Sequence, residues 1–266
     1  MNFRFDWSGV FSGAPLQWLV SGLITTLCIT IVASVVATLL AFLLLALRLS
    51  SNPVSRWPAK AVISVFRNTP LLVQLMFWYF AGFGLLPQAF RTWMTDPNAW
   101  AVLPGNVVLI SPEFFASSWG LGLFSAVFIA EEVRAGLGAI SRGQQEAAIS
   151  QGFSYGVTLR HILLPQALAN SFQPVVGQYL NLMKFSSLAC AIGLAEITYQ
   201  VRQIESFNSH ALEAFAVGTG LYLLIGFLLS WFFNAFRPKP GRKRLSPEGT
   251  ITSRQTSETK ENSHGA

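Results

Sequence analysis

Five long apolar segments constrain what this chain of 266 residues can fold into. They cover approximately residues 18–47, 62–86, 119–140, 165–197 and 211–236. A helix needs about 20 apolar residues to cross the hydrocarbon core of a bilayer. The chain is 52% hydrophobic and 11% charged, with a mean hydropathy of +0.47, whereas about 25% of the residues of a soluble domain are charged. The sequence therefore predicts an all-α integral membrane protein with five transmembrane helices.

The basic residues predict the orientation of these helices, because Lys and Arg are retained on the cytoplasmic side. With an external N-terminus, the inner segments contain Arg48, Arg56, Lys60, Arg67, Arg142, Arg160, Arg237, Lys239, Arg242, Lys243 and Arg244, opposed only by Glu146. The outer segments contain Arg4, Arg91 and Arg202 together with Asp6, Asp96, Glu113, Glu196, Glu205 and Glu213. We expect an external N-terminus and a cytoplasmic C-terminus.

The apolar segments and the polar ends of the sequence divide the chain into three parts. Residues 1–17 are expected to form an external N-terminal segment, and residues 18–236 the transmembrane domain. Residues 237–266 are polar, so they are predicted to be a disordered cytoplasmic tail. The net charge of +6 is accounted for by the basic residues of the predicted inner segments. Lys and Arg are not gathered with aromatic residues on one face, so no nucleic-acid surface is predicted. Cys28 and Cys190 lie in apolar runs, and the three histidines are scattered, so no metal site, bound cofactor or catalytic group is predicted.

The predicted inner loop at residues 142–165 contains a spaced motif between spans three and four. Its members are Glu146, Ala147, Ala148, Gly152, Ile162, Leu164 and Pro165. Helix formers precede Gly152, which suits a C-cap, and Ser154 can N-cap a following helix. The sequence predicts a helix, a sharp turn and a second helix that a soluble partner can grip. An interfacial amphipathic hairpin is the structural alternative.

The motif resembles the cytoplasmic EAA coupling loop of bacterial ABC importer permeases. Two further stretches resemble the polar amino acid subfamily of these permeases, the RNTPLLVQ run at residues 67–74 and the AEEVRAG run at residues 130–136. Nearly the whole chain except its termini is covered by the resemblance. One departure concerns Lys184, which the family usually follows with Asp or Asn, whereas here Phe185 follows.

The resemblance implies an ATP-driven amino acid importer in a bacterial inner membrane. Its partners would be ABC ATPase subunits that bind ATP-Mg, a second permease that is identical or paralogous, and a periplasmic solute-binding protein. The sequence has no G-x-x-x-x-G-K-[ST] run, so ATP hydrolysis is assigned to the partner chain. The substrate is expected to be glutamate or aspartate, with glutamine, histidine, arginine and cystine as alternatives.

Charges within the spans are the remaining candidates for the substrate path or gate. Glu131 and Arg134 are one helical turn apart, which predicts an ion pair, and Glu132 needs a different partner. Lys184, with Ser186 and Ser187, can attract a substrate carboxylate if it faces a cavity. Structural pairing is the alternative for both groups. Pro165, Pro174 and Gly177 are expected to weaken span four, as in transporters with broken helices.

Two other classes of protein compete with this interpretation. A secondary transporter or channel would work without a motor, and an internal inverted repeat would favour it. A membrane-bound enzyme would need clustered nucleophile, acid or metal groups near an interface. We find neither pattern in the sequence.

Overall fold

The computed structural model describes residues 6–96, 102–103 and 107–237, and the described chain is almost entirely helical. The α-helices are α1 (Ser8–Phe11), α2 (Gly13–Leu49), α3 (Pro53–Arg67), α4 (Leu71–Phe77), α5 (Gln88–Thr95), α6 (Pro112–Gly138), α7 (Arg142–Ser150), α8 (Tyr155–Thr158), α9 (Leu164–Phe185), α10 (Ile197–Asn208) and α11 (Ala211–Ala235). Short π-helical and 3₁₀ segments extend three of them, at Trp78–Gly82, Phe83–Leu85, Leu159–Leu163 and Ser186–Ile192.

Three helices in the described residues are long and apolar enough to cross a membrane, namely α2, α6 and α11. Two bent helix pairs also qualify if each is counted as one span, which gives up to five. The first span begins at Gly13 and the third at Pro112, earlier than the predicted Trp18 and Trp119. A cap at Ser111, whose Oγ accepts from the backbone N–H of Phe114, explains the earlier start of α6.

The second span differs from the single helix predicted for residues 62–86. It consists of α3 and the Leu71–Leu85 helix, which meet at a bend of 109°. Pro70 lies in this bend and has no N–H group to continue a helix, and it disfavours helical geometry in the residue before it. The helix α3 is amphipathic, with Arg56, Lys60 and Arg67 interspersed among apolar residues. Such a pattern is typical of a helix that lies along a membrane interface.

The side chain of Gln74 holds this bend together. Its Nε2 group lies 2.8 Å from Thr69 Oγ1, 3.1 Å from Thr69 O and 3.1 Å from Phe66 O, and it donates to these acceptors. Thr69 Oγ1 in turn donates to Val65 O at 2.8 Å. The carbonyls freed where α3 ends therefore find partners within the chain.

The fourth span is broken, but at a different place from the one expected. Helix α9 continues through Pro174 without interruption, because it packs closely along α6. A Cβ built on Gly136 of α6 would lie 2.5 Å from Ala167 O, so the two backbones are in contact there. The break follows at the Ser186–Ile192 3₁₀ segment and at Gly193, whose φ is +90°. Beyond it, α10 departs at a bend of 49°.

The core of the bundle lies where α2, α4, α6 and α9 meet. Small residues dominate the contact of α2 with α6, with Ala33, Ala37 and Ala126 fully buried. A Cβ on Gly122 would lie 2.5 Å from Val36 Cγ1, so only glycine fits there. A second buried cluster joins the first turns of α2 to α10 and α11.

The segment before the first span is part of the folded unit in its described residues. The backbone N–H of Asp6 donates to Glu213 at 3.0 Å, and Asn208 Nδ2 donates to the carbonyl of Gly9 at 2.6 Å. Hydrogen bonds from Ser8 lower the pKa of the Asp6 carboxyl, with a smaller contribution from nearby His210. Within residues 1–17, the expected external segment, the structure forms helix α1 and the first turns of α2.

Between spans two and three lie α5 and a two-stranded antiparallel pairing of Val102–Leu103 (β1) with Val107–Val108 (β2). The predicted disordered tail falls almost wholly on residues 238–266, which lie outside the described residues.

We predict that Gln74→Ala destabilises the protein by about 1 to 2 kcal/mol, because it removes the buried donor group that bonds part-buried carbonyls at the bend. The midpoint of unfolding of the detergent-solubilised protein measures this. Gln88→Ala is the matched control, since Gln88 is an exposed glutamine on α5, and it should change stability by less than about 0.5 kcal/mol. Equal stability of the two variants would contradict the role given to Gln74.

Candidate functional site

The loop at residues 142–165, referred to below as the 142–165 loop, contains two helices joined by a sharp turn. Helix α7 ends in a turn in which Gly152 N donates to Ile149 O at 2.9 Å and Phe153 N donates to Ala148 O at 3.1 Å. Gly152 has φ +83°, and a Cβ built there meets nothing within 4 Å. Glycine is therefore required by the backbone conformation and not by packing. Ser154 occupies the N-cap of α8, as expected, but its side chain makes no capping bond.

The exposed surface of this loop is more apolar than the sequence motif indicated. Glu146 and Ala147 are exposed, and Glu146 has no hydrogen bond or ion pair to any described residue. Around them lie four large apolar side chains that are 41–53% exposed: Ile149, Phe153, Tyr155 and Val157. Exposed apolar residues of this kind are compatible both with a protein partner and with the interfacial hairpin that is the structural alternative. Motif spacing missed these four residues, although their apolar character in a polar loop was a usable signal.

Three of the predicted coupling residues lie away from that surface or face inward. Ala148 is only 3% exposed, so it packs against its own chain and is not available for the partner contact expected of it. Ile162 lies in the Leu159–Leu163 π segment and Pro165 in the first turn of α9. The extra residue of a π turn accommodates a proline in a continuing helix. Helix α8 is consequently continuous with α9, and the loop is rigidly joined to span four.

Glu131 is the centre of a charge cluster near the α7 end of the bundle. Arg134 donates to it through Nε at 3.0–3.1 Å and through a terminal nitrogen at 2.8 Å, so the predicted pair of Glu131 with Arg134 is present. Arg48 of α2 and Arg67 of α3 lie 3.8 Å from the same carboxylate. Sequence spacing could not reveal these two, because they come from other helices. Glu132 accepts from Gln178 Nε2 at 3.3 Å.

Lys184 lies far from this cluster, at the end of α9. The neighbouring Phe185 ring packs 5.9 Å from the ring of Phe124, which is near the middle of α6. Lys184 is exposed, and within residues 6–96, 102–103 and 107–237 no carboxylate pairs with it. The structure thus places a cation without a partner at mid-bundle depth, on a surface that the rest of the chain leaves open.

The two serines beside Lys184 do not behave as expected. Ser186 is fully buried and donates to Met183 O at 2.6 Å, so it does not line an open path. Ser187 donates to Lys184 O at 2.7 Å. Both hydroxyls thus donate to backbone carbonyls in the last turn of α9.

A buried carboxylate at the same break was missed by sequence reasoning, which treated Glu196 as an acid of an outer loop. Glu196 is fully buried and caps α10, where its Oε1 accepts from Tyr199 N at 2.9 Å. Its Oε2 accepts from the Tyr222 hydroxyl of α11. Thr26 Oγ1 of α2 accepts from Ile197 N at 3.2 Å. The local sequence did contain a signal: Gly193 suits the end of a helix, and Glu196, three residues later, suits the N-cap of the next helix.

A helical bundle with two broken spans and a rigid helical loop at one end defines a membrane transport protein. The chain matches the model of the binding-protein-dependent transport system inner membrane component over residues 35–242, and it belongs to that family. It is therefore a multi-pass protein of the inner membrane and a transport component, not an enzyme.

Relatives and solved structures agree with this assignment. The chain is 32% identical over 235 residues to the glutamate/aspartate import permease protein GltJ of Escherichia coli (strain K12), covering 85% of this chain and 90% of GltJ. It is also 32% identical to the glutamine transport system permease protein GlnP of the same organism, covering 87% and 95%. A crystal structure of an amino acid ABC transporter with histidines superposes with a TM-score of 0.71 at 27% identity, covering 89% of this chain and 99% of that chain.

Proposed function

We propose that this chain is the membrane-spanning subunit of an ATP-driven amino acid importer and that the 142–165 loop couples it to a separate ATPase. One observation carries the proposal: the exposed residues Ile149, Phe153, Tyr155 and Val157, called the knob below, lie at the turn from which α8 continues through the π turn into α9. A soluble partner that grips the knob would move a spanning helix directly. The sequence contains no phosphate-binding loop of its own.

The contact that we assign to the ATPase combines charge and apolar area. Glu146 supplies an exposed carboxylate, and Ile149, Phe153 and Tyr155 supply apolar surface around it. Buried apolar anchors with a polar neighbour are the usual features of an interface hot spot. ATP-Mg on the partner favours one of two membrane conformations through its differential affinity for them. A second permease, identical or paralogous, completes the pathway.

The proposed orientation places the 142–165 loop and the C-terminus on the cytoplasmic side and the N-terminus outside. The distribution of Lys and Arg supports it. A periplasmic solute-binding protein then delivers the substrate to the opposite end of the bundle, near α5 and the β1–β2 pairing.

Glutamate or aspartate is the proposed substrate, on the basis of sequence similarity to GltJ and of Lys184. Relatives for glutamine, arginine and cystine are 30–32% identical, so the identity alone selects none of them. Lys184 is an unpaired cation at mid-bundle depth, where substrate sites of transporters lie. Acidic amino acids offer it two carboxylates, and Phe185 removes the polar neighbour that the family usually has there.

The turn at Gly152 gives the sharpest test of coupling. Gly152→Ala has room for its Cβ but must hold a positive φ, which costs roughly 1 to 2 kcal/mol, so the knob should be displaced. We expect uptake per ATP hydrolysed to fall several-fold in vesicles that contain permease, ATPase and binding protein. Gly152→Asp should uncouple hydrolysis from uptake more completely, because it adds a charge next to the apolar patch.

Gly156→Ala is the control for this experiment. A Cβ on Gly156 also meets nothing within 4 Å, but Gly156 lies in α8 and has no positive φ. Its coupling should stay within about twofold of the wild type, because alanine is favoured in a helix. Equal coupling in the Gly152 and Gly156 variants would refute the assignment of the loop.

The role of Lys184 is tested by replacing its charge at nearly constant volume. Lys184→Met should lower glutamate uptake roughly tenfold, the loss expected for a charge-assisted hydrogen bond, while Lys184→Arg retains most of it. Titration of the purified binding protein with glutamate, aspartate, glutamine and arginine identifies the substrate independently. Unchanged uptake by the Lys184→Met variant would overturn the role proposed for Lys184. A binding protein that prefers glutamine or arginine would overturn the proposed substrate.

A further inference from the structure

A pocket of about 580 Å³ lies between the end of α2, helix α3 and α6, near the α7 end of the bundle. Three cations line it, Arg48, Lys60 and Arg67, against one carboxylate, Glu131. Glu131 is also a candidate for the gate, but the three cations have no part in the proposed transport steps. The pocket therefore carries an excess of positive charge.

Glu131 does not satisfy the cations that line the pocket. Its oxygens already accept three hydrogen bonds from Arg134, at 2.8–3.1 Å, and Arg134 is not among the lining residues. The nearest nitrogens of Arg48 and Arg67 lie 3.8 Å from the carboxylate, beyond hydrogen-bond distance. Attraction from Glu131 therefore positions both guanidinium groups but leaves their donors unused.

The unused donors are the second observation that indicates a ligand. Arg48 Nε is buried and has no hydrogen-bond partner among the described residues. Arg67 stands over the ring of Phe128, with Cζ 5.9 Å from its centroid, which adds a cation–π contact at the wall of the pocket. Lys60 adds a flexible ammonium group from the same wall as Arg67. Guanidinium groups held in place beside an ammonium group fit the several oxygens of a phosphate.

The surroundings of the pocket indicate where such a phosphate would come from. Helix α3 exposes Val54 and Trp57, which are 78% and 73% exposed, on a helix whose composition suits a membrane interface. Exposed apolar residues beside a basic pocket at the end of the spans are the features by which membrane proteins bind anionic headgroups. A soluble phosphate ester offers the same oxygens.

We propose that Arg48, Lys60 and Arg67 form a binding site for a phosphate group, which an anionic phospholipid headgroup or a soluble phosphate presents. The site is separate from Lys184 and from the 142–165 loop. The proposal does not depend on which substrate the protein transports.

Lipid binding to the full-length chain, purified in a neutral detergent and followed by native mass spectrometry, tests this site. We expect phosphatidylglycerol to bind several-fold more tightly than phosphatidylcholine. Arg48→Gln combined with Lys60→Gln should weaken phosphatidylglycerol binding about tenfold, because two cations near the phosphate are lost. A parallel titration with inorganic phosphate distinguishes the two sources of the phosphate group. If inorganic phosphate competes with the lipid, or if inorganic phosphate binds and the lipid does not, a soluble phosphate is identified as a ligand of the site.

Arg56→Gln combined with Arg160→Gln is the matched control, because it removes two exposed arginines that do not line the pocket. It should change the affinity by less than about twofold. Equal losses in the two double variants would overturn the proposal, since they would show general attraction to positive charge. Binding of neither phosphatidylglycerol nor phosphate above the phosphatidylcholine level would overturn it as well. If Arg48→Gln fails to fold, the exposed Lys60→Gln alone, with Lys60→Arg as its rescue, makes the same comparison.

Discussion

The structure depends on one constraint: in hydrocarbon, every backbone N–H and C=O group freed from a helix must find a partner within the protein. Two spans are interrupted, and each interruption is satisfied by side chains. At the bend of span two, Gln74 donates to the carbonyls of Phe66 and Thr69. At the break of span four, Glu196 and Thr26 accept from the amides at the start of α10. Both breaks are therefore ordered features of the chain, with side chains bonded to the backbone groups that the helices leave free.

The two interruptions leave a rigid unit between them. The continuous helix from α8 through α9 packs backbone to backbone on α6 at Gly136, and α6 packs as closely on α2 at Gly122. In the proposed mechanism, a displacement of the 142–165 loop is passed to α9, and through it to the surface that carries Lys184. The proposed motor contact and the proposed substrate contact are thus at the two ends of one helix. Such an arrangement suits a membrane component of a transport system, the family to which the chain belongs.

Sequence alone predicted the class, the family and most of the spans, because apolar length and motif spacing are local properties. It also predicted the turn at Gly152 and the pair of Glu131 with Arg134, both of which depend on neighbours within a few residues. It expected Pro165, Pro174 and Gly177 to weaken span four, whereas α9 runs through all three and the break follows at Ser186–Ile192. It treated span two as one helix. The burial of Glu196 depends on contacts of its segment with Tyr222 of α11 and Thr26 of α2, which are distant in sequence, so local spacing predicts the cap but not the burial.

Uptake by proteoliposomes that contain this permease tests the central claim most directly. The claim is that an external motor, acting through the 142–165 loop, drives transport. The account predicts accumulation of radiolabelled glutamate only when the ATPase, hydrolysable ATP and the solute-binding protein are all present, and none when any one is omitted. Accumulation by the permease alone, driven by an ion gradient without ATPase, would contradict it.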